Sequence, residues 1–109
     1  MTIAGSYASP IMDDMDKIFR ESNSKTVVVV FSADWLGAAV VLDSFMEDFS
    51  KQFPKIRFYR IDIDKADGAA EKFGISTVPT TLILRKKEII NHFTGVPPKQ
   101  KILQILKSL

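Results

Sequence analysis

The chain has 109 residues, 46% hydrophobic and 26% charged, with a formal net charge of +2. That length suits one domain, 1–109, able to bury roughly two-thirds of its unfolded surface in a single core. High apolar content with low net charge excludes a disordered chain. Apolar runs such as Val27 to Phe31 fall far short of the roughly 20 residues that cross a bilayer, so no membrane partner is expected. The first residues lack a basic stretch followed by an apolar one, so no signal peptide is read and a cytoplasmic location is expected. Cysteine is absent. Disulfides, thiolate metal sites and cysteine nucleophiles are thereby excluded. A single histidine, His92, excludes a multi-histidine zinc site, and no cofactor is implied.

Charge is unevenly spread. Residues 10–49 hold eight acidic and three basic side chains, and residues 85–109 hold six basic and one acidic. A basic C-terminal region could meet an acidic partner. Without interleaved aromatics, however, Lys99, Lys101 and Lys107 read as a solvated helix face, and no nucleic-acid partner is expected.

Helices and strands alternate along the chain. A short strand around Thr2 to Ala4 comes first. Ser9-Pro10 then reads as a helix start, with Ser9 as N-cap and Pro10 in the first turn. Asp13, Asp14 and Asp16 suit the early turns of that helix, about 10–22. Thr26 to Phe31 is β-branched and unalternating, the pattern of a central, parallel strand buried on both faces. A second helix is expected over 36–52, with Val41, Leu42, Phe45, Met46 and Phe49 as its buried stripe. Ile56 to Ile63 reads as a strand, and Asp67 to Phe73 as a short helix ended by Gly74. Thr80 to Arg85 and Glu88 to Phe93 form a hairpin. Lys86 and Lys87 are poor residues for a primed turn, which predicts a longer or bulged loop. Lys99 to Leu109 closes the chain as a helix, burying Ile102, Ile105, Leu106 and Leu109. The expected fold is α/β, a mixed four- to five-stranded sheet with helices on both faces.

Four segments carry a resemblance. Phe31-Ser32-Ala33-Asp34-Trp35-Leu36-Gly37-Ala38-Ala39 links the buried strand to the long helix and resembles the thioredoxin active-site segment, Trp-Cys-Gly-Pro-Cys. Phe73-Gly74-Ile75-Ser76-Thr77-Val78-Pro79-Thr80 resembles that family's loop with a cis proline. Arg60-Ile61-Asp62-Ile63-Asp64 resembles the strand end before its short helix, and Thr94-Gly95 its last-strand glycine. The likeness runs from about residue 9 to 109 in the right order and implies the thioredoxin fold.

The departures bear on chemistry. Where the family carries its attacking cysteine this chain has Leu36, and where it carries the resolving one it has Ala39. A helix start there stabilises a thiolate that attacks a disulfide. Leucine and alanine have no nucleophile. The family's buried acid falls at Val30, and its proline at Ala38. Nucleophile, resolver and proton acceptor are missing together, which implies a redox-inactive member.

The remaining candidates each carry two readings. Trp35 either contacts a partner, as the resemblance implies, or merely covers the helix start. Leu36 either joins Val78 and Pro79 in an apolar patch or folds back under the tryptophan. Pro79 either orients Val78 for pairing with an extended peptide or is a structural turn. Asp34 is placed to interact with the free N–H groups of the second helix. His92 reads as a surface or edge residue. Ser32 and Ser44 lack a nucleophile-elbow context, so a serine triad is not expected. Asp62, Asp64 and Asp67 lack the glycine and glutamate of a calcium loop, and no metal site is assigned.

These readings converge on a peptide- or protein-binding, scaffold-type domain using Trp35, Leu36, Thr77, Val78, Pro79 and Gly95, with no catalytic residue. Two alternatives remain open: an accessory to a partner's redox cysteines, and a self-associating homodimer using the same patch.

Overall fold

The computed structural model describes residues 7–8, 15–64, 71 and 74–109. Its elements run β1 (Tyr7–Ala8), α1 (Met15–Glu21), β2 (Val27–Ser32), α2 (Gly37–Gln52), β3 (Arg57–Asp62), β4 (Thr80–Arg85), β5 (Glu88–Thr94) and α3 (Lys99–Lys107). The strands form one sheet in the order β1-β3-β2-β4-β5. β1 and β2 both run parallel to β3, whereas β4 lies antiparallel to β2 and β5 antiparallel to β4. The central strand is thus parallel on one side only.

Every residue of β2 is buried, as its unbroken β-branched run requires. Its odd positions, Val27, Val29 and Phe31, pack with Ile18 of α1, Tyr59, Ile61, Leu82 and Leu84. Its even positions, Val28 and Val30, face Leu42, Met46 and Phe49 of α2 and Ile102 and Leu106 of α3. Two cores therefore meet back to back through one strand.

Several sequence expectations shift. The described first strand is Tyr7–Ala8, and Thr2 to Ala4, Ser9, Pro10 and the helix over 67–73 fall outside the described residues, apart from Glu71. Within α2, Val41 is 48% exposed, not buried, and Phe45 is half-buried. Ala39 and Ser50 take part in the buried face instead. Ser50 tolerates burial because its hydroxyl donates to Glu47 O at 2.7 Å. Ile105 of α3 and Leu109 just beyond it are only partly covered.

The hairpin also differs. Arg85 pairs directly with Glu88, so the connection is a two-residue turn, with Lys86 at φ 55° and Lys87 at φ 63°. The irregularity lies inside the strands: pairing steps from Ile83–Asn91 to Leu84–Ile89, which leaves Ile90 as an extra residue. Side chains other than glycine and asparagine resist the left-handed region by roughly 1–2 kcal/mol each. Tethers to the end of α1 hold the turn there. Lys86 N donates to Ser22 O at 2.7 Å, Lys87 N to Ser22 Oγ at 2.9 Å, and Lys86 Nζ to Asn23 O at 3.2 Å.

α1 is fastened to β3 by a polar cluster at the rim of its core. Tyr59 Oη donates to Glu21 Oε1 at 2.5 Å, and Arg57 Nε lies 3.4 Å from Glu21 Oε2. Burial first, and then the bond to Glu21, raise the Tyr59 hydroxyl above its ordinary pKa. A raised value means stability is fully present below the unfolded tyrosine pKa and is lost as pH rises through the folded one. Denaturant midpoints measured from neutral pH to above about pH 10 should therefore fall more steeply for this chain than for Tyr59→Phe. Equal alkaline slopes would remove Tyr59 from the account.

The turn gives a second expectation. Lys86→Asn combined with Lys87→Gly places the preferred primed-turn pair there and keeps both backbone tethers. Stability should rise by about 1 kcal/mol, read as a higher denaturant midpoint at unchanged m-value.

Candidate functional site

The loop joining β2 to α2 sits at the C-terminal end of the central strand. Register fixes its neighbours. Phe31 pairs with Thr80, Thr80 with Thr94, and Ser32 with Asp62. The ends of β2, β3 and β5 and the start of β4 therefore meet along one edge. Trp35, Thr77, Val78, Pro79 and Gly95 are gathered there from segments far apart in sequence.

Leu36 is the N-cap of α2, with φ −88° and ψ 112°, and offers its helix no side-chain acceptor. The first turn contains no acidic residue. Ala39 N donates to Leu36 O at 3.0 Å, so the two positions stand one helical turn apart at the helix start. Leu36 is partly exposed and Ala39 is buried, an open position beside a covered one. Trp35 is 66% exposed and held on edge, its Nε1–H donating to Asp64 Oδ2 at 2.7 Å. Val40 and Val41, 69% and 48% exposed, extend the apolar surface along α2. Position on the helix wheel suggested a core role for Val41, because apolar spacing says nothing about which flank a neighbouring element covers.

On the facing loop the Val78-Pro79 peptide bond is cis. Pro79 is buried, Val78 half-buried and Thr77 exposed. Thr80 Oγ1 donates to Thr77 O, and Gly95 N to Pro79 O at 2.8 Å, with Gly95 at φ 71°. Among the described residues, the backbone N–H and C=O of Val78 have no hydrogen-bond partner. Val78, half-buried, thus adds a backbone group unpaired among the described residues to the edge that also carries the exposed Trp35.

Sequence reasoning missed Arg60. Its side chain is 12% exposed and lies between three carboxylates: Nη2 is 3.0 Å from Asp34 Oδ1, Nε 3.3 Å from Asp43 Oδ2, and Nη1 4.0 Å from Asp62 Oδ2. The Nε–H is poorly aimed at Asp43, so that contact is one of charge and not a hydrogen bond. Asp34, expected near the free N–H groups of α2, also meets the arginine. Val30 is fully buried and pairs in register with Arg60, on the face toward α2. Among the described residues, Ser32 Oγ and Thr81 Oγ1 are buried without a hydrogen-bond partner. His92 is exposed on the edge strand β5. Among the described residues, no group of three or more acidic, histidine or cysteine side chains is placed to hold a metal ion.

A sheet of this order with a helix opening at its central strand end defines a thioredoxin-type domain. The thioredoxin family model matches residues 12–108. Thioredoxin-1 of Saccharomyces cerevisiae is 32% identical over 77 residues, 71% of this chain and 75% of the yeast protein. Mitochondrial thioredoxin of Mus musculus is 32% identical over 101 residues, 91% of this chain but 61% of the mouse protein. Thioredoxin f from spinach chloroplast superposes with a TM-score of 0.86 at 22% identity, covering 97% of this chain and 88% of that one. The chain belongs to the thioredoxin family, and it does so without any cysteine. Thiol–disulfide exchange has no residue here on which to run.

The geometry predicts what Leu36→Cys with Ala39→Cys would restore. An internal disulfide should form, since the positions lie one turn apart. Turnover of a disulfide substrate should stay low, because Val30 supplies no base for the covered thiol. Adding Val30→Asp beside Arg60 should raise turnover roughly tenfold or more. Thiol titration and an insulin-reduction assay read the two steps. Failure to form the bond would remove Leu36 and Ala39 from the helix start.

Proposed function

We propose that this chain is a redox-silent member of its family that binds an extended protein segment at the edge formed by Trp35, Leu36, Thr77, Val78, Pro79 and Gly95. The observation that carries this reading is a Val78 backbone without a hydrogen-bond partner among the described residues, on the sheet edge that also carries the exposed Trp35. An extended peptide satisfies such a backbone by adding strand-like hydrogen bonds, which need no thiol. Val40 and Val41 widen the contact. The aromatic ring supplies apolar area at low entropic cost, because Asp64 already fixes its orientation. The protein performs no catalysis in this reading; the α2 start receives a side chain and leaves it unchanged.

Exposed Trp35, Val40 and Val41 also favour one competing occupant, a second copy of the chain. A displayed library of extended peptides, selected on the immobilised protein, separates the two. Binders should perturb the amide resonances of Val78 and Gly95 and lose about tenfold in affinity with Trp35→Ala. If light scattering instead gives twice the monomer mass and Val40→Asp with Val41→Asp restores the monomer, the homodimer replaces the peptide. Selection of binders indifferent to both changes would end the proposal.

A further inference from the structure

At the pole opposite the α2 start, the loop after α1 and the β4–β5 turn border an open depression of about 140 Å³. Its lining includes Asn23, Ser24, Lys25, Thr26, Arg85 and Lys86, with no carboxylate. Arg85 is half-buried, and its Nε and Nη2 donate to Thr26 Oγ1 at 3.2 and 3.0 Å. Among the described residues, no carboxylate pairs with it. The guanidinium is thus oriented by a neutral hydroxyl while most of its donor fork stays unspent. A half-buried arginine is ordinarily matched to an anion.

The nearest acids do not fill that role. Glu21 is engaged by Arg57 and Tyr59, and Glu88, Arg85's partner in the hairpin register, is exposed and makes no ion pair with it. The carbonyl of Glu21, at the negative end of α1, accepts the N–H groups of Ser24 and Lys25 and the Ser24 hydroxyl. The turn adds an independent sign. Lys86 and Lys87 occupy left-handed backbone that favours asparagine and glycine, so the fold keeps two cations where its own stability prefers neutral residues.

We propose that Arg85, Lys25 and Lys86 form a site for a phosphate-type oxyanion. The planar fork of Arg85 takes two oxygens, the ammonium groups of Lys25 and Lys86 take others, and the Thr26 hydroxyl is free to donate. The depression has room for one tetrahedral anion. The chemistry is that of a phosphomonoester, carried by a phosphorylated protein segment.

Titration of the labelled protein with inorganic phosphate at low salt tests this. Saturable shifts of the Lys25 and Lys86 amides and the Arg85 Nε–H are expected, with Kd on the order of 1 mM. Lys86→Asn with Lys87→Gly, which should fold at least as stably, is expected to weaken binding about fivefold or more, and Arg85→Gln to abolish it. A phosphoserine peptide should bind more tightly than phosphate through the same residues; tighter binding of vesicles containing phosphatidic acid than of that peptide would overturn a protein-borne source. Absence of saturation, or affinity unchanged in both variants, overturns it.

Discussion

The structure depends on a strand with no wet face. Val27–Ser32 sends alternate side chains into two cores, and each helix docks on one of those layers. Burying a valine or leucine fully contributes roughly 1.5–3 kcal/mol, so this strand concentrates a large share of the apolar stabilisation. Burial on both faces also constrains chemistry. A charge on β2 would need a partner inside the protein, and at position 30 the chain carries valine, with Arg60 satisfied by carboxylates from the β2–α2 loop, α2 and β3 itself.

From that strand the functional edge follows. Parallel pairing with β3 and antiparallel pairing with β4 bring three chain reversals to the same end of the sheet. The helix opening there has its dipole and its free N–H groups but an apolar first turn. A helix start with these properties stabilises an anion when it carries one. Here it presents Leu36, Gly37 and Ala38, with the acids Asp34 and Asp64 held by Arg60 and Trp35. Trp35, Val40 and Val41 are exposed at that end. The opposite end is basic, so the two poles of the domain differ in kind as well as in place.

The polar clusters divide the work of holding these ends. Tyr59, Glu21 and Arg57 tie α1 to β3, and Arg60 with Asp34 and Asp43 ties β3 to the start of α2. Lys99 Nζ meets Asp48 Oδ2 at 2.6 Å and so links α3 to α2 at an exposed site, where salt and solvent screen the attraction. Lys99 also lies 5.7 Å from the Phe45 ring centroid, covering part of the half-buried ring with its own stem.

Local pattern was enough for much of the fold. The unalternating run at Val27–Phe31 announced a doubly buried strand, the bounds of β4 were legible to the residue, and four short motifs in order identified the family. The absent cysteines were equally legible, because chemistry that needs sulfur is excluded by composition alone. What local pattern left open was contact between distant segments. Whether Val41 faces a core or solvent depends on which flank of α2 the sheet and α3 cover, and periodicity carries no such term. Arg60 looked like an ordinary polar residue of a strand end, since its partners at Asp34 and Asp43 reach it only after β3 has paired with β2. The two-residue turn at Lys86-Lys87 contradicted local preference because Ser22 and Asn23, more than sixty residues earlier in the chain, hold it in place. Sequence by itself determined the doubly buried central strand and the absence of thiol chemistry. Only the tertiary structure decided which exposed groups stand together, because that depends on strand register and helix docking, both of which join residues remote along the chain.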